Sequence, residues 1–212
     1  MKTKERIIQA SIELFNEFGE RAITTNHIAA HLGISPGNLY YHFRNKEDII
    51  HSVFAEYISH MESAFKPTEG PMSVAKMADY CDEAFSSIWR FRFFYSSLPG
   101  ILLRDQTLQQ RYLNVQEAIS DRAGVVLRAL RENNLIAASD QEILDLIQLM
   151  KVVVAFWISF QMCQSNDVKV EVPAVYDGVV KLIALVKPYA TDIAKDDFER
   201  LQQNYRARSE LQ

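Results

Sequence analysis

The sequence predicts an all-α protein with a small N-terminal three-helix unit, over about residues 1–50, followed by a larger helical domain over 51–212. Three observations carry this. Apolar residues recur at three- and four-residue steps almost throughout, no alternating strand pattern survives inspection, and one short segment has the stop and start signals of a helix-turn-helix. That segment also lacks acid. Residues Arg21 to Lys46 contain no aspartate or glutamate, although the chain carries 27 acids in 212 residues and even spacing would place about 3 there.

The first helix runs from about Arg6 through Leu14 and Phe15 to Phe18, and Gly19 ends it. Thr24 or Thr25 can cap the second helix, whose Ile28, Ala29 and Leu32 share one face. Gly33 then supplies the left-handed residue that closes a helix, and Ile34 turns inward. Ser35 suits the next N-cap, and Pro36 suits the first helical position, where an absent N–H costs nothing. Leu39 and Phe43 anchor this third helix from below, which leaves Asn38, Tyr40, Tyr41 and His42 on the other side.

Those side chains suit a DNA groove. Asparagine can pair with adenine edges, tyrosine can touch thymine methyls or donate to phosphate, and the amides near Gly37 lie at a positive helix end. Arg44 and Lys46 add cations just beyond. The alternative is a solvated helical hairpin in which Tyr40 and Tyr41 only pack on the preceding helix.

The series Arg6-Ile7-Ile8-Gln9-Ala10, Leu14-Phe15, Phe18-Gly19, Thr24-Thr25, Ile28-Ala29, Leu32-Gly33-Ile34-Ser35, Leu39-Tyr40-Tyr41-His42-Phe43 and Lys46-Glu47 resembles the N-terminal domain of the TetR family of bacterial transcription regulators. The resemblance covers Thr3 to roughly Ile50. It implies a homodimer that binds a double-stranded DNA operator and carries a C-terminal domain that senses a small molecule. It also implies DNA contacts at Thr24, Thr25, Asn26, Ser35, Gly37, Asn38, Tyr40, Tyr41 and His42, with Lys46 as a phosphate anchor. Asn26 stands where many members carry arginine, and His27 and His31 replace residues that are often charged or long.

Composition agrees with a regulator. The net charge is −4 and the sequence pI about 5.8, so a DNA surface must be a local patch fed by Arg21, Arg44, Lys46 and helix dipoles. Hydrophobic residues make up 48% of the chain, enough for a packed core. Cys81 and Cys163 lie in apolar helical patterns without metal-ligand or disulfide spacing, and both read as buried packing residues. No metal site or cofactor is expected: His27 and His31 share a helical face but lack a third ligand. Lys2, Lys4, Glu5 and Arg6 lead into an amphipathic helix rather than an export signal, so the location expected is cytoplasmic.

After the N-terminal unit, a fourth helix carries Ile50, Phe54, Tyr57, Ile58, Met61 and Phe65 up to the linker Lys66-Pro67-Thr68-Glu69-Gly70-Pro71. A fifth starts near Ser73 and is expected to break at Pro99-Gly100, with a short turn at Ile101 to Arg104. A long helix over about 107–133 follows. Ser139 or Asp140 would cap the next, which reaches Cys163 before Gln164-Ser165-Asn166-Asp167 ends it. After Val168 to Val172 the last major helix begins near Pro173, Lys187-Pro188 disturbs it, and a polar tail carries Phe198, Leu201 and Tyr205.

Residues 143–163 imitate a membrane span, but Asp145, Gln148, Lys151 and Gln161 interrupt them, so no membrane association is expected. A helix apolar nearly all round needs cover on two sides, and a partner subunit can supply the second. Ile143, Leu146, Ile147, Met150 and Val154, with Val175, Val179, Leu182 and Val186 on the following helix, are therefore the candidate dimer seam. Aromatic crowding marks the candidate ligand site: Phe85, Trp89, Phe93, Tyr112, Phe156, Trp157 and Phe160 could line a cavity, with Arg92 for a carboxylate. An aromatic core is the plainer account of any single ring.

No nucleophile elbow, phosphate loop or metal cluster points to an enzyme. The function implied is a dimeric repressor released from a palindromic operator by a largely apolar ligand. A small-molecule carrier with a vestigial helix-turn-helix, or an activator with the same DNA-binding mode, remain the alternatives.

Overall fold

The computed structural model describes residues 2–64, 70–164 and 170–210. Within these the chain forms ten α-helices: α1 (Thr3–Phe18), α2 (Thr25–Leu32), α3 (Pro36–His42), α4 (Lys46–Ala64), α5 (Val74–Arg90), α6 (Arg92–Leu102), α7 (Gln106–Glu132), α8 (Asp140–Gln164), α9 (Val172–Val186) and α10 (Lys195–Ser209). No strand occurs among them; an isolated bridge joins Ile136 to Ala190. The expected linker at 66–69, Phe65 and the expected helix stop at 165–167 lie outside the described residues.

Helices α1 to α3 pack around Ile7, Phe15, Ile28, Leu39 and Phe43, all nearly or fully buried. Gly33, at φ 65 and ψ 30, closes α2: its amide and that of Ile34 return to the carbonyls of Ala30 and Ala29 at 3.1 and 3.0 Å. Asn134 repeats this device at the end of α7 with φ 57, its amide reaching Arg131 and that of Leu135 reaching Leu130. α4 runs unbroken through Ile50, so one helix crosses the boundary between the N-terminal unit and the rest.

The chain breaks at Phe91, not at Pro99-Gly100. Pro99 lies inside α6, where its missing N–H leaves the Tyr95 carbonyl without an intrahelical donor. The Ser159 hydroxyl of α8 donates to that carbonyl at 3.0 Å, so the proline is accommodated by a neighbouring helix. The break at Phe91 is held by α1. Asn16 donates to the Arg90 carbonyl at 2.9 Å and accepts from the Phe93 amide at 3.0 Å.

Ser139 caps α8 and exchanges hydrogen bonds with Glu142, which accepts from both the amide and the hydroxyl of Ser139. By length and composition α8 is apolar enough to cross a membrane. In the fold it instead lies against α6, α7 and α9, with Ile143, Leu146, Ile147 and Ile158 buried. The polar tail forms α10 and docks firmly. Phe198, Leu201 and Tyr205 are buried against α9 and α5, and the Tyr205 hydroxyl donates to Asp82 at 2.6 Å.

Cys81 is buried as expected, and burial with the nearby Asp82 charge pushes its thiol up to about 12. Cys163 is exposed, contrary to the expectation. It lies on the outer face of α8, and hydrophobic surroundings in sequence do not reveal which face of an apolar helix is turned outward.

Candidate nucleic-acid interface and an internal cavity

Leu39 and Phe43 are almost completely buried, and this fixes the outward side of α3. Ser35, Gly37 and Asn38 are exposed at its N-terminus, Tyr40 is 48% and Tyr41 85% exposed, and His42 is partly exposed. From α2, Thr24 and Asn26 are exposed and Thr25 is half-buried. The Thr25 hydroxyl and the Tyr40 hydroxyl lie 3.2 Å apart, so the two helices present one continuous polar surface. Tyr41 meets the His42 ring edge-on at 5.1 Å.

The caps keep this surface free of negative charge. Thr24 accepts from the His27 amide at 3.3 Å, while His27 Nδ1 accepts from the Thr24 amide at 3.3 Å. This is the reciprocal arrangement usually completed by glutamate or glutamine. Histidine completes it here without adding an anion, and an Nδ1 that accepts leaves Nε2 carrying the proton. Ser35 caps α3 by accepting from the Asn38 amide at 3.2 Å.

Lys46, the expected phosphate anchor, is also paired within the chain. Its ammonium lies 2.9 Å from the Glu20 carboxylate and also donates to the Glu20 carbonyl, and the side chain is 20% exposed. Arg104, at the turn from α6 to α7, holds the other carboxylate oxygen at 2.9 Å. Glu20 is 2% exposed. Burial alone would raise its pKa, but the hydrogen bonds and charges of Lys46 and Arg104 together hold it below the ordinary glutamate value. Glu20 sits one residue before the acid-free window, so its closeness to Lys46 is a product of folding.

A cavity of about 160 Å³ lies between α4, α5, α7 and α8. Tyr57, Met61, Cys81, Ser87, Tyr95, Gln116, Arg122, Ile147, Lys151 and Val154 are among its walls. None of the eight residues singled out by aromatic crowding lines it. Phe85 stacks on Tyr176 of α9 at 4.0 Å, and Phe93 packs on Phe15 of α1 at 5.2 Å. Arg92 lies over the Trp89 ring at 4.0 Å, and Tyr112 packs on Phe94 at 6.0 Å. Trp157 donates to the Ala174 carbonyl at 2.7 Å, whereas Phe156 and Phe160 are about half exposed on α8. The crowded rings of Phe85 and Phe93 serve helix-to-helix packing, while Phe156 and Phe160 lie on the surface. The interruption of the apolar α8 text by Lys151 was the signal that could have found the cavity.

The expected dimer seam is likewise turned inward. Ile143, Leu146, Ile147, Val175, Val179, Leu182 and Val186 are buried within one chain, and Met150 and Val154 face the cavity. The outer face of α8 carries Leu149, Val152, Phe156 and Phe160, each about half exposed and spaced by three, four and four residues.

Residues 7–53 match the model of the tetR family of bacterial regulatory proteins, and residues 56–198 match that of a bacterial transcriptional repressor. The chain belongs to the TetR family. A TetR-family transcriptional regulator from Marinobacter aquaeolei VT8 is 33% identical, covering 97% of this chain and 100% of that one at a TM-score of 0.87. The HTH-type transcriptional regulator UidR of Escherichia coli K12 is 25% identical over 57% of this chain and 64% of its own. YerO of Bacillus subtilis, an HTH-type transcriptional regulator, is 42% identical over 31% of this chain and 23% of its own. The matches thus span less than two thirds of these two curated relatives. The matched models and these relatives are transcriptional regulators.

Proposed function

We propose that the protein is a homodimeric repressor whose two α3 helices enter successive major grooves of a palindromic operator, and that a small molecule in the cavity releases it. The observation that carries this is the outward side of α3. Tyr40 and Tyr41 are exposed although aromatic side chains ordinarily seek cover, and no acid lies between Arg21 and Lys46. Tyr40, Tyr41, His42 and Asn38 touch bases or phosphate, Thr24, Thr25, Asn26 and Ser35 hold the flanking backbone, and the Gly37 amide faces phosphate. Lys46 contributes from beside Glu20.

Half-site spacing of about one DNA turn then requires a fixed dimer. The half-exposed stripe Leu149, Val152, Phe156 and Phe160 supplies its apolar centre, pairing α8, together with α9, across a twofold axis. The cavity touches α4, which starts at Lys46 beside the DNA unit and runs to Tyr57 and Met61 in the cavity wall. A ligand that favours another α4 position lowers operator affinity by its difference in binding energy, about 1–3 kcal/mol.

Selection of bound sequences from a random DNA pool, read by sequencing, tests this. A palindrome bound by the wild type and lost in the Tyr40→Ala, Tyr41→Ala double variant is expected. Equal binding by the two proteins overturns the assignment.

A further inference from the structure

Among the described residues the cavity walls contain no aspartate or glutamate, yet they contain two cations, Arg122 and Lys151. Neither forms an ion pair with a carboxylate among the described residues. Lys151 is half-buried on α8 beside Ile147, Met150 and Val154. The Arg122 guanidinium donates through one nitrogen to the Met61 and Glu62 carbonyls, both at 3.3 Å, in the last turns of α4. Both side chains are partly buried, so each can turn its charge either to solvent or to an anion in the cavity. Two cations without a carboxylate partner thus give this apolar space a positive wall.

A second observation is independent of charge. Ser87 is 1% exposed, lines the cavity, and its hydroxyl has no hydrogen-bond partner among the described residues. A helical serine in an apolar setting usually returns its proton to the carbonyl one turn back. Across the space, the Tyr95 hydroxyl donates to that of Tyr57 at 3.3 Å. Burial pushes both phenols well above their ordinary value, so they remain neutral. Cys81, with its thiol pushed up to about 12, is unsuited to covalent capture.

We infer that this cavity binds a small apolar carboxylate, its hydrocarbon body among Met61, Ile147 and Val154, its anionic group toward Lys151 and Arg122, and a polar atom within reach of the Ser87 hydroxyl. This rests on the reading of the cavity as the effector site. The volume sets the scale. A dry engineered cavity of roughly 150 Å³ admits benzene, so a body of about one ring or a short acyl chain fits. The carboxylate also accounts for a response. It competes with the Met61 and Glu62 carbonyls for the Arg122 guanidinium, and so acts on the end of α4 opposite Lys46.

Isothermal titration calorimetry on the full chain tests the inference without DNA. The probes are benzoate, phenylacetate and octanoate, each beside its uncharged amide, which keeps the body and removes the charge. At least one acid should bind about tenfold or more tightly than its amide. Lys151→Met should erase most of that gap while leaving the amide unchanged, and Ser87→Ala should weaken acid and amide by a similar factor. Thermal unfolding establishes that both variants are folded. The inference is overturned if no acid binds, if acid and amide bind equally, or if the gap survives in Lys151→Met. Operator binding is scored separately, so a chain that binds the acid but no DNA would refute the repressor assignment and leave the cavity chemistry standing.

Discussion

The Ser159 hydroxyl and the Tyr95 carbonyl lie 3.0 Å apart, and this contact allows Pro99 to sit inside a helix. Tyr95 is completely buried, so without Ser159 its carbonyl would have neither an intrahelical donor nor water. Ser159→Ala is expected to cost about 1–3 kcal/mol, the usual penalty for leaving a buried polar group unpaired. Thermal or urea unfolding measures it. A change smaller than about 0.5 kcal/mol would mean that α6 tolerates the proline by other means.

A Cβ on Gly178 of α9 would lie 2.5 Å from Cδ1 of the Trp157 ring, closer than atoms can approach. The indole cannot swing aside cheaply, because its N–H donates to the Ala174 carbonyl at 2.7 Å. Gly178→Ala should therefore spread α8 from α9 and cost about 1–3 kcal/mol despite the gain in helix propensity. Denaturant titration monitored by tryptophan fluorescence reads both the stability and the displaced ring.

Glu20 makes the junction between the N-terminal unit and the α6–α7 turn sensitive to acid. Its folded pKa lies below the ordinary 4.5, so its contribution is present above that value and is lost as pH falls through the folded pKa. Glu20→Gln should lose about 1–3 kcal/mol near neutral pH, since Lys46 and Arg104 keep solvent contact and recover part of the loss. The gap between wild type and variant should narrow below about pH 4.5. Paired urea melts across that range check the sign.

His27 separates capping from charge. His27→Glu keeps the reciprocal cap on Thr24 and so should leave stability within about 0.5 kcal/mol of wild type. On the proposed DNA face the added anion should weaken operator binding by about tenfold or more, with a gap that shrinks as salt is raised. Fluorescence anisotropy against salt distinguishes this from unfolding. Unchanged affinity would place His27 away from the phosphate backbone.

Phe156→Asp tests the outer face of α8. The side chain is about half exposed and lies mid-stripe, so one protomer should remain folded while self-association weakens by about 100-fold. Sedimentation velocity reads the oligomeric state, and an unaltered dimer would move the interface elsewhere.

The N-terminal unit was legible residue by residue because its information is local. Thr24, Gly33, Ser35 and Pro36 act on backbone groups within five positions, so helix ends and the outward side of α3 follow from spacing. The larger domain was legible only in its helix content. The apolar text of α8 does not reveal that Ile143, Leu146 and Ile147 face inward while Val152 and Phe156 face outward. Nor does aromatic crowding on α5 and α6 reveal that Phe93 serves the α1 contact and Phe85 the α9 contact.

By itself the sequence determined the all-α class, the helix-turn-helix with its acid-free surface, and the nature of its caps, since all depend on neighbours a few residues apart. Only the tertiary structure decided that Pro99 continues a helix, that Glu20 gathers Lys46 and Arg104, and that Ser87, Arg122 and Lys151 surround one cavity. Each of these joins residues that are distant along the chain, and which of them meet is set by how whole helices pack, a geometry that short-range spacing does not encode.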